Sequence, residues 1–184
     1  MRAIHGNGPH IPPLSKPPVE CITCATLNIG GFSDPTKWLA IKQIDFDILA
    51  LSETHLQFHT QHSLHIKFPN HHFIHSPGKD GKHYAGVALL TKKAICWSHK
   101  LVEWPKDSPC YSFFQDNGLM CVQFWTGDGS SCIFVYIAYN PSGARWETDK
   151  KTYSHRLFEA VNQDLQQRGD ITAILYWIVR YLVP

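Results

Sequence analysis

The chain has 184 residues, 43% of them apolar and 17% charged, with a formal net charge of +2. That length suits one domain with a sizeable core, and the apolar share excludes wholesale disorder. A near-neutral balance without a block of Lys and Arg gives no electrostatic footprint for any one class of partner.

In chain order, residues 1–19 form a proline-rich leader, with Pro12, Pro13, Pro17 and Pro18, expected to be extended and poorly ordered. The leader lacks the unbroken apolar core of a secretory signal. No run reaches the roughly 18 apolar residues of a membrane span, so no membrane partner is expected. The six cysteines are then expected to be reduced thiols of an intracellular protein. Cys21 and Cys24 form a C-x-x-C within a strand-like run, where that spacing turns the side chains to opposite faces. Buried structural thiols are the expectation there.

CITCATLNI, residues 21–29, is rich in β-favouring residues and stops at Gly30-Gly31. Ser33 or Asp34 then caps a short helix, with Pro35 at its first position and Trp38, Leu39, Ile41 and Ile44 at roughly helical spacing. DFDILALS is a nearly continuous apolar strand of the kind buried on both faces. Strand, helix and strand with a right-handed crossover make the two strands parallel. Eight of the twelve histidines fall between His55 and His83. His55, His59 and His62 would share one face of a helix as transition-metal ligands, but the mixed pattern reads as a solvated loop. HHFIHS, YAGVALLTKK and AICWS read as strands, with turns at Pro77-Gly78 and Asp80-Gly81. Residues 119–140 read as a hairpin about Gly127-Asp128-Gly129. Trp146, Tyr153, Leu157, Phe158, Val161 and Leu165 mark a helix from Arg145 to about Gln167, stopped by Gly169. ITAIL, residues 171–175, is a short buried strand. The order fits mixed sheets covered by helices.

The first strand closes on Asn28 and the second runs straight into Glu53. Glu is almost never buried unless paired, so the ordinary reading is a strand reaching the surface. If the two strands are neighbours, however, both side chains converge where ligands gather in open α/β sheets. A hard cation such as Mg²⁺ commonly takes one or two carboxylates there, plus substrate phosphates.

Four blocks in order carry a more specific signal: TLNIGGF from Thr26 to Phe32, ILALSETHL from Ile48 to Leu56, AGVALLTK from Ala85 to Lys92 and IFVYIAYNPSG from Ile133 to Gly143. Together they resemble the endonuclease/exonuclease/phosphatase superfamily, in wording like that of LINE-type retroelement and apurinic endonuclease domains. The resemblance spans residues 20–175. It implies a four-layered α/β sandwich, two mixed sheets flanked by helices, that cleaves phosphate esters with Mg²⁺ or Mn²⁺. It further implies a nucleic-acid partner (DNA by analogy) and a nuclear setting if the origin is a retroelement. Carried over by position, Asn28 lies near metal and phosphate, Glu53 binds the metal, and Tyr139 contacts the substrate phosphate. Asn140 helps hold that loop, and His55 supports Glu53 from behind. Tyr136 reads as a core aromatic.

Two departures follow. Gly30 stands where some relatives carry Asp or Asn. After ITAIL, where the family pattern continues as Gly-Asp-x-Asn, this chain reads YWIVRYLVP, a divergent tail over residues 176–184; Gly169-Asp170 precedes the strand and reads as the helix stop. No histidine follows His155, so the family's general base has no counterpart. The expectation is a C-terminally truncated, incomplete hydrolase fold with weak or no activity and an open second sheet. The alternative is a non-catalytic relic or nucleic-acid-binding fragment of a retroelement.

Overall fold

The computed structural model describes residues 22–32, 34–56, 66–76, 86–116, 118–126, 131–140, 147–169 and 172–179. The leader, His59, His62, the turns expected at 77–81 and 127–129, and Cys21, Ser33, Trp146 and Asp170 lie outside those residues.

The elements are β1 (Cys24–Asn28), α1 (Pro35–Gln43), β2 (Ile48–Ser52), β3 (His71–His75), β4 (Val87–Lys92) and β5 (Cys96–Leu101). They continue as α2 (Tyr111–Gln115), β6 (Leu119–Thr126), β7 (Ser131–Asn140), α3 (Glu147–Arg168) and β8 (Thr172–Val179). Asp34 caps α1 by accepting from the Thr36 N–H at 2.9 Å, and Pro35, which has no N–H to leave unpaired, follows it.

Two four-stranded sheets form, in orders β1-β2-β4-β3 and β5-β6-β7-β8. β1 and β2 are parallel with Asn28 opposite Ser52, whereas β4 runs antiparallel to β2 and β3. The hairpin of β6 and β7 is antiparallel, and α3 returns the chain so that β8 runs parallel to β7. Both sheets are therefore mixed, as expected.

Alternation along the strands builds three apolar layers. Ile48, Ala50, Val87 and Leu89 face Met120, Val122, Val135 and Ile137 between the sheets. Leu49, Leu51, Phe73 and Leu90 face Trp38 and Ile41 of α1. Cys121, Tyr136 and Ala138 face Phe113 of α2 and Leu157 and Val161 of α3. Helix, sheet, sheet, helix is the four-layered sandwich. No helix among the described residues is long and apolar enough to cross a membrane.

Several expectations need correction. Leu39 and Phe158 fit their helical patterns yet are 61% and 55% exposed, because each falls on the flank of a stripe that its sheet does not reach. Cys24 is exposed rather than buried, since it lies on the outermost strand. That strand turns Cys24, Thr26 and Asn28 away from α1, and all three are exposed. β8 runs four residues past Leu175, so part of the expected tail is strand. α2 has no counterpart in the sequence reading; five residues are too few to show a helical period.

Beyond the second sheet, the carboxylate of Asp164 on α3 is buried and saturated. It accepts from Trp104 Nε1 at 3.1 Å, Tyr136 O–H at 2.6 Å and Arg168 Nε at 2.8 Å. Burial raises the Tyr136 phenol above its ordinary range, and Asp164 beside it acts in the same direction. Burial likewise pushes the Cys110 thiol up to about 12, so it stays a protonated filler. Asp164→Leu should cost about 3–5 kcal/mol, since two buried donors and the half-buried Arg168 lose their acceptor. Tyr136→Phe should cost about 1–2 kcal/mol. Urea unfolding of the two variants decides it: equal, small losses would contradict the network.

Candidate active site

The C-terminal ends of β1 and β2 open side by side, and the backbone ties them together. Ile29 N–H donates to Ser52 O at 3.2 Å, Gly31 N–H to Glu53 O at 2.6 Å and Phe32 N–H to Thr54 O at 3.2 Å. Thr54 N–H donates to Gly86 O, just before β4, at 3.2 Å. This ladder lets Glu53 and His55 both hold φ of 51°, a left-handed backbone that costs a non-glycine residue about 1–2 kcal/mol. Such strain persists only where surroundings over-determine it. Its effect is to break the strand alternation after Ser52 and redirect the Glu53 side chain.

Glu53 is only 5% exposed, and its Oε1 accepts from the hydroxyl of Tyr139 at 2.6 Å. Tyr139 comes from β7 of the second sheet and is itself buried between the sheets. The contact is thus a clamp between the sheets, made by two of the residues singled out in the sequence. Asn28, exposed, ends β1 on the same intersheet side; its Oδ1 accepts from Gly30 N–H at 3.1 Å. That bond uses one of the two lone pairs of Oδ1 and leaves the other, with the amide N–H groups, for further partners. His55 is exposed, and its ring lies over Gly31: Nδ1 stands 3.0 Å from where a Cβ on that glycine would be. It braces the turn beneath Asn28. Asn140 ends β7 opposite Val179. Tyr136 faces away from the mouth, into the α3 layer.

Other mouth residues escaped the sequence reading. Ser52, Thr54 and His75 are buried polar side chains at this end of the first sheet. Thr54 Oγ1 and His75 Nε2 lie 2.4 and 3.7 Å from where a Cβ on Gly86 would stand. Gly86, at φ 125°, is what allows β4 to come this close. A Gly just before an apolar strand was the one legible trace. At the opposite end of the sheet, a cleft of about 480 Å³ is bordered by Lys42, Lys67 and Lys92. Those amines are committed: Lys92 to Asp45 and Asp47, Lys67 over the Trp38 ring and Lys42 over Phe68. That end of the sheet is a structural clamp.

Two outcomes are expected. Gly86→Ala should lose about 2–3 kcal/mol in urea unfolding, because an L residue is strained at that φ and its methyl meets Thr54; unchanged stability would refute the close approach. Burial holds the His75 imidazole down to about 4 from 6.5. Between those values the unfolded chain binds the extra proton, so stability is full above pH about 6.5 and falls as pH drops toward 4. His71, lowered by burial with Lys92 and Lys93 adding to it, acts in the same direction. Comparison with His75→Gln isolates His75. From pH 7 to pH 5 the wild type should lose about 2 kcal/mol more than the variant. Parallel losses would contradict it.

No curated protein sequence matches the chain. Solved structures do. The catalytic domain of APE2 from Xenopus laevis superposes with a TM-score of 0.61 at 16% identity, over 85% of this chain and 57% of that one. The AP endonuclease LMAP from Leishmania major gives 0.61 at 13%, over 85% and 54%. The 3' phosphatase NExo from Neisseria, bound to a product DNA hairpin, gives 0.58 at 16%, over 85% and 57%. At such identities the likeness establishes the fold, and the chain spans little more than half the length of these solved proteins. Residues 25–175 match the sequence model of the endonuclease/exonuclease/phosphatase family, and the chain belongs to that family.

Proposed function

We propose that the domain is a metal-dependent phosphodiester hydrolase of endonuclease type, acting on nucleic acid with DNA as the favoured substrate, and that the mouth at Asn28, Glu53 and Tyr139 is where it acts. The observation that carries this reading is the 2.6 Å hydrogen bond from Tyr139 to the buried Glu53, made across the two sheets beside Asn28. The 3' phosphatase from Neisseria, solved with a DNA product, supports the choice of substrate.

The donor set suits a hard ion. One oriented carboxylate with an amide beside it is an oxygen-rich site of the sort Mg²⁺ or Mn²⁺ occupies while keeping water and phosphate oxygens in its shell. Among the described residues no group of three or more His, Cys, Asp and Glu gathers, so water and phosphate oxygens would have to fill most of the ion's shell. When bound, such an ion neutralises phosphate charge and acidifies a water. Glu53 would hold it. Tyr139, whose single O–H goes to Glu53, would donate to a phosphate oxygen once an ion takes over that carboxylate oxygen. Asn28 would offer the free lone pair of Oδ1 to the ion and its amide N–H groups to the phosphate beside it. Asn140 follows Tyr139 and supports its loop, and His55 steadies the turn. Removal of the water's proton is a further requirement of the reaction.

Supercoiled plasmid incubated with Mg²⁺ tests the reading. The wild type should nick slowly, with no nicking in chelator. Glu53→Gln should lose on the order of 100-fold and Tyr139→Phe about 10-fold. The same background in wild type and Glu53→Gln would sink the proposal. Retention of DNA that weakens with salt, without nicking, would favour the non-catalytic binder.

A further inference from the structure

Lys37 stands where a lysine should not. It is the third residue of α1, whose first turn holds no acidic side chain, and a cation there opposes the helix dipole. The side chain does not escape to solvent. Its ammonium donates to three successive carbonyls, Ile29 O, Gly30 O at 2.9 Å and Gly31 O at 3.1 Å, using all three of its N–H groups. Three neighbouring carbonyls converge on one point because Gly30 and Gly31 hold φ of 51° and 90°, open to glycine without cost.

The turn that follows Asn28 is thereby consumed on both sides. Its carbonyls go to Lys37, and its N–H groups go to Ser52, the Asn28 side chain, Glu53 and Thr54. None of the four N–H groups from Ile29 to Phe32 is left to cradle a phosphate, as a glycine-rich phosphate loop would do. What the turn delivers to the mouth is the Asn28 side chain, and its placement relative to Glu53 depends on the turn keeping this shape.

We infer that Lys37 is a positioning residue: its ammonium, seated on the Ile29, Gly30 and Gly31 carbonyls, locks the turn that aims Asn28 beside Glu53. The inference rests on the proposed role of that mouth, but its test does not depend on turnover. Amide hydrogen exchange and the Asn28 side-chain NH₂ resonances are followed by NMR in wild type, Lys37→Met and Lys37→Arg. In Lys37→Met, Gly31 and Phe32 should exchange at least 10-fold faster and the Asn28 NH₂ signals should shift, while Leu49 and Leu51 of β2 keep wild-type rates. Lys37→Arg should restore most of both. Added Mn²⁺ should broaden Thr54 in wild type and Lys37→Met alike, but broaden the Asn28 NH₂ strongly only in wild type and Lys37→Arg. Unchanged Gly31 and Asn28 signals in Lys37→Met would overturn the inference. Equal acceleration at Leu49 and Leu51 would also overturn it, by making Lys37 a general support of the sandwich. If Lys37→Met fails to fold, Lys37→Gln, with a shorter neutral donor, carries the same comparison. Absence of Mn²⁺ broadening in the wild type would count against the functional reading, leaving the exchange result to decide on Lys37.

Discussion

The hydrogen bond between Tyr139 and Glu53 joins the two sheets at the C-terminal ends of β1 and β2. A carboxylate as buried as Glu53 is tolerated only with partners, because removing it from water costs several kcal/mol. The phenol that supplies one partner comes from the opposite sheet, about 10 Å away in a packed sandwich. The distance between sheets, the register of β7 and the redirection of the chain after Ser52 must therefore all agree for this contact to form. The left-handed backbone at Glu53 and His55 and the close approach at Gly86 are the local adjustments that make it possible.

β7 is held from both of its faces. Tyr136 points outward and donates to Asp164 of α3; Tyr139, three residues on, points inward to Glu53. An odd spacing puts two tyrosines on opposite faces of one strand, so the helix layer and the mouth are coupled through a single rigid element. The first sheet is anchored comparably at its far end, where Asp47 accepts from Thr23 N–H at 2.8 Å and pairs with Lys92 at 3.0 Å. That clamp aligns the starts of β1 and β2 with the end of β4, and the opposite ends are free to carry strain.

Much of this could be read from the residues in order. The continuous apolar run from Ile48 to Leu51 announced a strand buried on both faces, and Pro35 behind Asp34 announced the start of α1. Asn28, Glu53 and Tyr139 were singled out because polar residues ended apolar strands in a recognisable order. Thr54, His75 and Lys37 were not, for physical reasons. Thr54 and His75 matter through burial against Gly86, a contact 32 residues of chain away from Thr54 that no local pattern encodes. Lys37 violated a helix-end preference in plain view, but one charge at a surface helix is weak evidence. Leu39 and Phe158 erred the other way: periodicity marks a face, and only packing decides how wide that face is.

The chain spans only 57% of the APE2 catalytic domain it superposes on, yet this mouth takes shape within it because most of its contacts are short in sequence or made within one sheet. Asn28 meets the Glu53 loop through parallel pairing across α1, Lys37 closes the same turn from eight residues past Ile29, and Gly86 belongs to the adjacent strand. Only Tyr139 reaches in from afar, 86 residues beyond Glu53. On the proposed reading, the groups that would hold an ion and a phosphate come from the first sheet, completed by one hydroxyl of the second. Proton transfer is a separate requirement, and His75 does not meet it: it is buried and held neutral down to about pH 4, far below the range of an effective base at pH 7. On that reading, holding the ion and phosphate and moving the proton are separable requirements, and the first depends on the contact between Glu53 and Tyr139.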